Sequence, residues 1–254
     1  MLFRSPDWLL VPDRWTADRF AKLGYQKERL TVCGHPRYDY VRSVWKGWQK
    51  KNLDDLRTTL FPGWTRGRPI WLFASEISTG FEPGQFRYSS EYTLHGTGRH
   101  TERTKIVLEE FLDSLTELTE RPYLVLRLLP KNTIDEFSEF IKHFDYISKD
   151  EDALEVIYGS DFAVGMTSML LVEAVLMGKA TLSILPRAQE KEWLASARDG
   201  VTPCFFTRDA LKSAMRDRSV PFPPEAAKVA EAFVEGSTDR SLAFLMDILK
   251  KHYS

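Results

Sequence analysis

The sequence predicts an α/β fold, a parallel sheet flanked by helices. Three observations carry this. Short apolar runs of strand length recur along the chain, at Ile70–Ala74, 123–129, Phe162–Gly165 and 181–185. Stretches of helical period separate them. Residues 104–118, for example, carry Ile106, Val107, Leu108, Phe111, Leu112, Leu115 and Leu118 on one face. The junctions carry helix punctuation, such as Thr167-Ser168 before residues 169–177 and Gly178 after them.

Composition bounds the rest. The chain has 254 residues, 43% hydrophobic and 28% charged, an ordinary globular balance. A net charge of −1 gives no electrostatic case for nucleic acid as a partner. Cys33 and Cys204 are far apart, which argues against zinc or a disulfide scaffold. Both lie in apolar runs and are expected in the core. No apolar run reaches the roughly 18 residues of a transmembrane segment. The opening MLFRSPDWLL lacks the apolar core of a secretion signal. A cytoplasmic protein is expected. The aromatic helix around Trp45 and Trp48 is expected to bury its tryptophans, with a peripheral membrane contact as the alternative.

In order, residues 8–12 read as a strand ending at Pro12. Asp13 caps a helix over 14–23 with Trp15, Phe20 and Leu23 inward, and Gly24 closes it. Residues 30–34 form a strand, His35-Pro36-Arg37 a turn, and 38–48 a helix. A short helix over Leu53–Leu60 and a Pro62-Gly63 turn lead to Ile70–Ala74, the first strand of the main sheet. Residues 77–103 are irregular and hold Gly80, Gly84, Gly96, Gly98, His95 and His100. Loops this long are often functional. A lid placing Arg87, His95, Arg99 or His100 near phosphate is set against a plain surface loop. The strand over 123–129 carries Arg127 and is followed by Pro130 and Lys131. A helix over 134–143, a strand over Tyr146–Ser148 and a helix over 151–158 follow.

The stretch DFAVGMTSMLLVEAVLMGKATLSILP, residues 161–186, reads as strand, turn, helix, strand. A strand feeding a helix N-terminus through a small hydroxyl turn is a ready anion site. The free N–H groups of the first turn and the positive end of the helix dipole both face it. Glu173 is the one charge in this apolar helix, about 1.5 turns in, within reach of a ribose if Thr167 or Ser168 holds a phosphate. Against this, the hydroxyls can serve only as caps, with Glu173 solvated. A helix over 187–197, a strand over 201–206, a helix over 208–215 capped by Thr207, and helices over 225–234 and 238–253 complete the chain. Internal repeats and the P-loop, G-x-G-x-x-G, G-x-S-x-G and C-x-x-C motifs are absent from the sequence.

Two blocks carry a family resemblance. PDWLLVPDRWTADRFAKLGYQKERLTVCGHPRYDYV is similar to the end of the N-terminal lobe of GT-B-fold glycosyltransferases and their UDP-N-acetylglucosamine 2-epimerase relatives, where "v.GnPr.D" precedes the crossing to the C-terminal lobe. The second block runs from Ser160-Asp161 through Thr167-Ser168 and Glu173-Ala174 to Gly178-Lys179. It resembles the nucleotide-sugar site, "aD..v..S….EA...GkP.l". Together the blocks span about two thirds of the chain, in the expected order and separation.

The resemblance implies a Rossmann-like GT-B C-terminal lobe with a remnant of the N-terminal lobe. Residues 1–49 would end the N-terminal lobe, 50–206 form the nucleotide-sugar-binding lobe, and 207–254 pack on it as helices or cross back. It implies transfer of a sugar from a nucleotide-diphosphate sugar in glycan or polysaccharide synthesis, with no cofactor and no metal. Thr167 and Ser168 would hold the diphosphate and Glu173 the ribose. Ser75 and Glu76 would face the sugar, and Arg127 or Lys131 would steady the leaving diphosphate. The base stays open, and no catalytic residue is assigned. Leu129 stands where many relatives carry a histidine before proline, which weakens a shared mechanism. A partner chain supplying the N-terminal lobe, or a non-catalytic binding or assembly role, is the alternative.

Overall fold

A computed structural model describes residues 6–77, 89–217, 219 and 223–253. The chain divides into two compact units, one of 1–47 with 230–254 and one of 48–229.

The larger unit is built on a six-stranded sheet. Its strands are β3 (Ile70–Ala74), β4 (Tyr123–Arg127), β5 (Tyr146–Ser148), β6 (Phe162–Gly165), β7 (Ala180–Ile184) and β8 (Cys204–Phe205). They lie in the order β5-β4-β3-β6-β7-β8 and every pairing is parallel. Parallel sheets need both faces covered, and β3, β4, β6 and β7 are buried at every position. Trp71 and Phe73 show how one face packs. Trp71 meets Phe162 edge-on at 4.7 Å, and Phe73 meets Phe111 of the Arg103–Ser114 helix at 5.2 Å. Each such buried ring is worth roughly 1.5–3 kcal/mol.

The strand order places the topological switch between β3 and β6, since the chain runs outward through β4 and β5 and then returns to the other side of β3. In doubly wound sheets the ligand crevice opens at the carboxyl ends of the two strands that flank this switch. Here those ends deliver Ser75-Glu76 and Met166-Thr167-Ser168.

Several expected elements are shorter or tighter than their apolar patterns. Residues 134–143 form two 3₁₀ turns, Ile134–Phe137 and Ile141–His143, because the Thr133–Glu136 capping box starts a turn that propensity does not extend. Residues 187–197 form a 3₁₀ segment, Ala188–Trp193, and a short Ala195–Arg198 helix. The Met169–Leu176 helix matches its pattern. Ser168 caps it, accepting from the Leu170 N–H at 3.3 Å. Gly178 ends it at φ +71°, a conformation open to glycine, and lets the Lys179 N–H return to the Ala174 carbonyl at 2.9 Å.

The smaller unit contains a parallel pair, β1 (Leu9–Val11) and β2 (Leu30–Val32). Asp13 caps the Arg14–Lys22 helix through the Thr16 N–H at 2.7 Å. That helix buries no residue, and Leu23 is 83% exposed rather than inward. Asp39, near the end of the first sequence block, accepts from the N–H groups of Gly236 and Thr238 at 2.9 and 2.7 Å. It thereby caps the Ser237–Tyr253 helix, which joins this unit rather than the sheet, whereas Arg208–Arg216 stays with the sheet. Cys33 is buried, but Cys204 is only partly so, because β8 is an edge strand. Trp45 and Trp48 are partly buried. Arg42 lies over the Trp45 ring at 4.6 Å, and Tyr158 meets Trp48 at 5.5 Å. Among the described residues no helix is long and apolar enough to cross a membrane.

Candidate functional site

At the switch point, Glu76 reaches from the end of β3 to the turn after β6. Its carboxylate accepts from the Thr167 backbone N–H and, at 3.0 Å, from the Thr167 hydroxyl. It therefore sits at the N-terminal end of the Met169–Leu176 helix, where free N–H groups and the dipole favour negative charge. Arg103 completes the grip, with Nη1 donating to Glu76 at 2.8 Å.

Arg103 opens the Arg103–Ser114 helix and is only 3% exposed. Its Nε donates to Glu190 at 2.9 Å and Nη2 to the same oxygen at 2.5 Å. Glu190 is fully buried and also accepts from Arg187 Nε at 2.7 Å. Burial opposes the Arg103 charge, but Glu76 and Glu190 outweigh it and hold the guanidinium above its ordinary range. Arg103, Arg187, Glu76 and Glu190 thus form a charge-balanced cluster joining the segments after β3, β6 and β7. The Thr104 hydroxyl donates to the Glu76 carbonyl at 3.2 Å.

Of the residues expected from sequence, Glu76 and Thr167 meet directly, with Ser168 beside them as the helix cap. Ser75 is buried and donates to the Asn132 side chain at 3.0 Å. That contact ties the β3 end to the turn after β4. Glu173 is 6% exposed, so it is a buried helix position rather than a solvated one. Arg127 is engaged on the β5 side, donating to Ser148 at 2.8 Å and to the Glu151 carbonyl at 2.9 Å. Lys131 is exposed.

The 89–103 segment is strapped down by carboxylates. The N–H groups of His95 and Gly96 donate to Glu110, and Thr97 donates to Glu109. His100 lies 3.0 Å from Glu139 and 3.6 Å from Glu109. Arg99 is exposed and lines a cavity of about 660 Å³ with Glu109, Leu112, Leu124 and Phe140. None of Ser75, Glu76, Thr167, Ser168 and Glu173 lines it. Gly80, Gly84 and Arg87 lie outside the described residues.

The sequence does hold one D-x-D triplet, Asp150-Glu151-Asp152, so the expectation of metal-independent transfer draws nothing from that motif. Two of its side chains serve the fold. Asp152 caps the Ala153–Gly159 helix, and Glu151 accepts from Ser148 and from the Lys149 N–H. No group of three potential metal ligands occurs among the described residues.

Sequence reasoning missed Arg103 as a site residue. One signal was available. A basic residue opens this helix, whose first turn has no acid, although the dipole disfavours positive charge there. Such a residue needs a compensating anion, and Glu76 and Glu190 supply it.

The strand order and the all-parallel pairing define a Rossmann-like lobe, with this cluster at its switch point. No protein-family model matches the chain, and no curated protein sequence matches it. Solved structures do. UDP-GlcNAc 2-epimerase from Neisseria meningitidis, bound to UDP-GlcNAc, matches at TM-score 0.61 and 12% identity over 96% of this chain and 62% of its own. The Methanocaldococcus jannaschii UDP-GlcNAc 2-epimerase in complex with UDP-GlcNAc and UDP matches at 0.61 and 12%, over 95% of this chain and 61% of its own. The wall teichoic acid polymerase TagF matches at 0.50 and 14%, over 98% of this chain and 59% of its own. The likeness shows the GT-B fold. The chain spans less than two thirds of the length of each of these structures.

Proposed function

We propose that this chain is the donor-binding half of a GT-B-type glycosyltransferase. It binds a nucleotide-diphosphate sugar for glycan or polysaccharide synthesis. The observation that carries this reading is the convergence of the Thr167 N–H, the Thr167 hydroxyl and the Arg103 guanidinium at the switch point of the sheet. These are the donors a diphosphate needs, and they lie where doubly wound sheets take nucleotides. Glu173 is assigned to the ribose. Ser75 and Glu76 border the sugar side. Arg103, rather than the engaged Arg127 or the exposed Lys131, is the cation placed to steady the diphosphate. The UDP-GlcNAc bound in the Neisseria structure supports a nucleotide sugar as ligand.

In such a transfer the bond from the sugar anomeric carbon to the diphosphate oxygen breaks, and the diphosphate leaves with the electron pair. An acceptor oxygen bonds the carbon and loses its proton to a base. Helix N–H groups and Arg103 stabilise the leaving charge. The residues assigned here supply neither that proton acceptor nor the acceptor site; a partner chain carrying the N-terminal lobe would supply both. Residues 1–49 then serve as the end of the N-terminal lobe and the interlobe connection, 50–206 as the donor lobe, and 207–254 as C-terminal helices.

A non-catalytic nucleotide-sugar-binding or assembly subunit is the second reading. Leu129 before Pro130, in place of the histidine that many relatives carry, favours it. Calorimetric titration with UDP, CDP, GDP and their sugar conjugates tests the shared premise. One nucleotide is expected to bind at micromolar strength, with at least tenfold loss in Glu173→Ala. No binding by folded protein rejects both readings.

A further inference from the structure

Resting on the donor-lobe reading, we propose that Glu76 is a built-in competitor of the diphosphate. Its carboxylate occupies the anion cradle and must swing out when a phosphorylated ligand enters.

The geometry carries this. A carboxylate and a phosphoryl group present similar oxygens to similar donors. Glu76 uses both of its oxygens, one on the Thr167 N–H, the other on the Thr167 hydroxyl and Arg103 Nη1. Those three donors are the ones assigned to the ligand. The charge count agrees. Arg103 and Arg187 are already balanced by Glu76 and Glu190, so a dianion added with Glu76 in place would meet no net positive charge from these side chains.

The two acids differ in freedom. Glu190 is fully buried and tied to both arginines. Glu76 keeps 15% of its side chain exposed and pairs with Arg103. Glu190 is therefore the fixed counter-ion, and Glu76 the exchangeable one. When Glu76 leaves, Arg103 keeps Glu190 and gains the ligand. The side chain thereby sets a threshold: only a ligand offering more charge or more contacts than one carboxylate displaces it. A diphosphate does so, and a monoanion such as acetate does not.

The test is calorimetric titration of wild type, Glu76→Ala and Glu76→Gln with inorganic pyrophosphate and with UDP. The fold is checked by circular dichroism. Removing the carboxylate is expected to tighten binding of both ligands at least tenfold, and Glu76→Gln, which keeps the size but not the charge, to show most of the gain. Equal or weaker binding by both variants, with wild type binding normally, overturns the competitor role and leaves the donor-lobe reading standing. No binding by any of the three, all folded, rejects the donor-lobe reading and with it the competitor role. If Glu76→Ala fails to fold, Glu76→Gln decides alone.

Discussion

The two edges of the main sheet use the same chemistry for different ends. At the amino edge, aspartates lock strand starts. Asp161 accepts from the Ile70 N–H at 2.9 Å and pairs with Arg57, which also donates to the Gly159 carbonyl at 2.8 Å. Asp145 does the same for the Leu124 N–H at 2.9 Å and pairs with Arg68. Each of these acids satisfies a backbone donor that the sheet leaves over, so the pairs fix register. At the carboxyl edge, Glu76 satisfies a backbone donor of a helix start, a group that a ligand can satisfy as well. A carboxylate on a strand start has no substitute, whereas one on a helix N-terminus competes with every anion. The sheet's polarity therefore sorts its ion pairs into structural and exchangeable ones.

The comparison can be broken first at Arg103. Arg103→Ala leaves Glu190 buried with Arg187 as its remaining partner and removes the link between the segments after β3 and β7. Loss of one partner from a buried pair costs about 3–5 kcal/mol, which urea unfolding would read. A loss under about 1 kcal/mol would mean that the cluster is not a tie between loops.

The amino edge supplies a pH test. Lys179 donates to the Tyr158 carbonyl at 2.6 Å, and burial pulls its pKa from 10.5 down to about 8, against the opposing pull of Asp161. The unfolded chain then holds more protons than the folded one between pH 8 and 10.5. Stability must rise with pH across that window, by roughly 3 kcal/mol at most. Below pH 8 the full cost of the buried charge is present. Lys179→Met should abolish this rise in denaturant titrations, and a variant with the same pH slope as wild type would remove Lys179 from the account.

Asp161→Ala removes the Arg57 pair and the Ile70 N–H acceptor together. Since the Asp161 side chain is 40% exposed, water takes up part of the loss, and about 2 kcal/mol is expected. The smallest effect is at the helix start, where Ser168→Ala removes one cap for about 1 kcal/mol. These losses need not change ligand affinity for Asp161→Ala, whereas a change at Ser168 should lower it. The reverse pattern would undo the sorting of the two edges.

The sheet was legible because its evidence is local. Ile70–Ala74 and Phe162–Gly165 are unbroken apolar runs, and Ser168 and Gly178 punctuate the helix between β6 and β7. Thr167 could be singled out for the same reason, and Glu76 because it follows a strand. What the sequence hid is long-range pairing. Arg103 meets Glu190 across 87 positions, and Thr167 meets Glu76 across 91. No periodicity encodes such contacts. Arg127 was expected at the diphosphate, yet its register opposite Ser148 on β5 commits it to a neighbouring strand. The 3₁₀ turns at 134–143 were misread as one helix because a capping box marks a start without fixing a length.

The most direct measurement follows the backbone amides of Thr167 and Ile70 by ¹H–¹⁵N NMR while UDP is added to the wild-type chain. Both amides donate to a carboxylate, one on each edge of the sheet. An exchangeable acid at the carboxyl edge and a fixed one at the amino edge predict that the Thr167 resonance moves to saturation while Ile70 stays in place. Saturable binding with Thr167 unmoved, or equal shifts at both amides, would contradict the account.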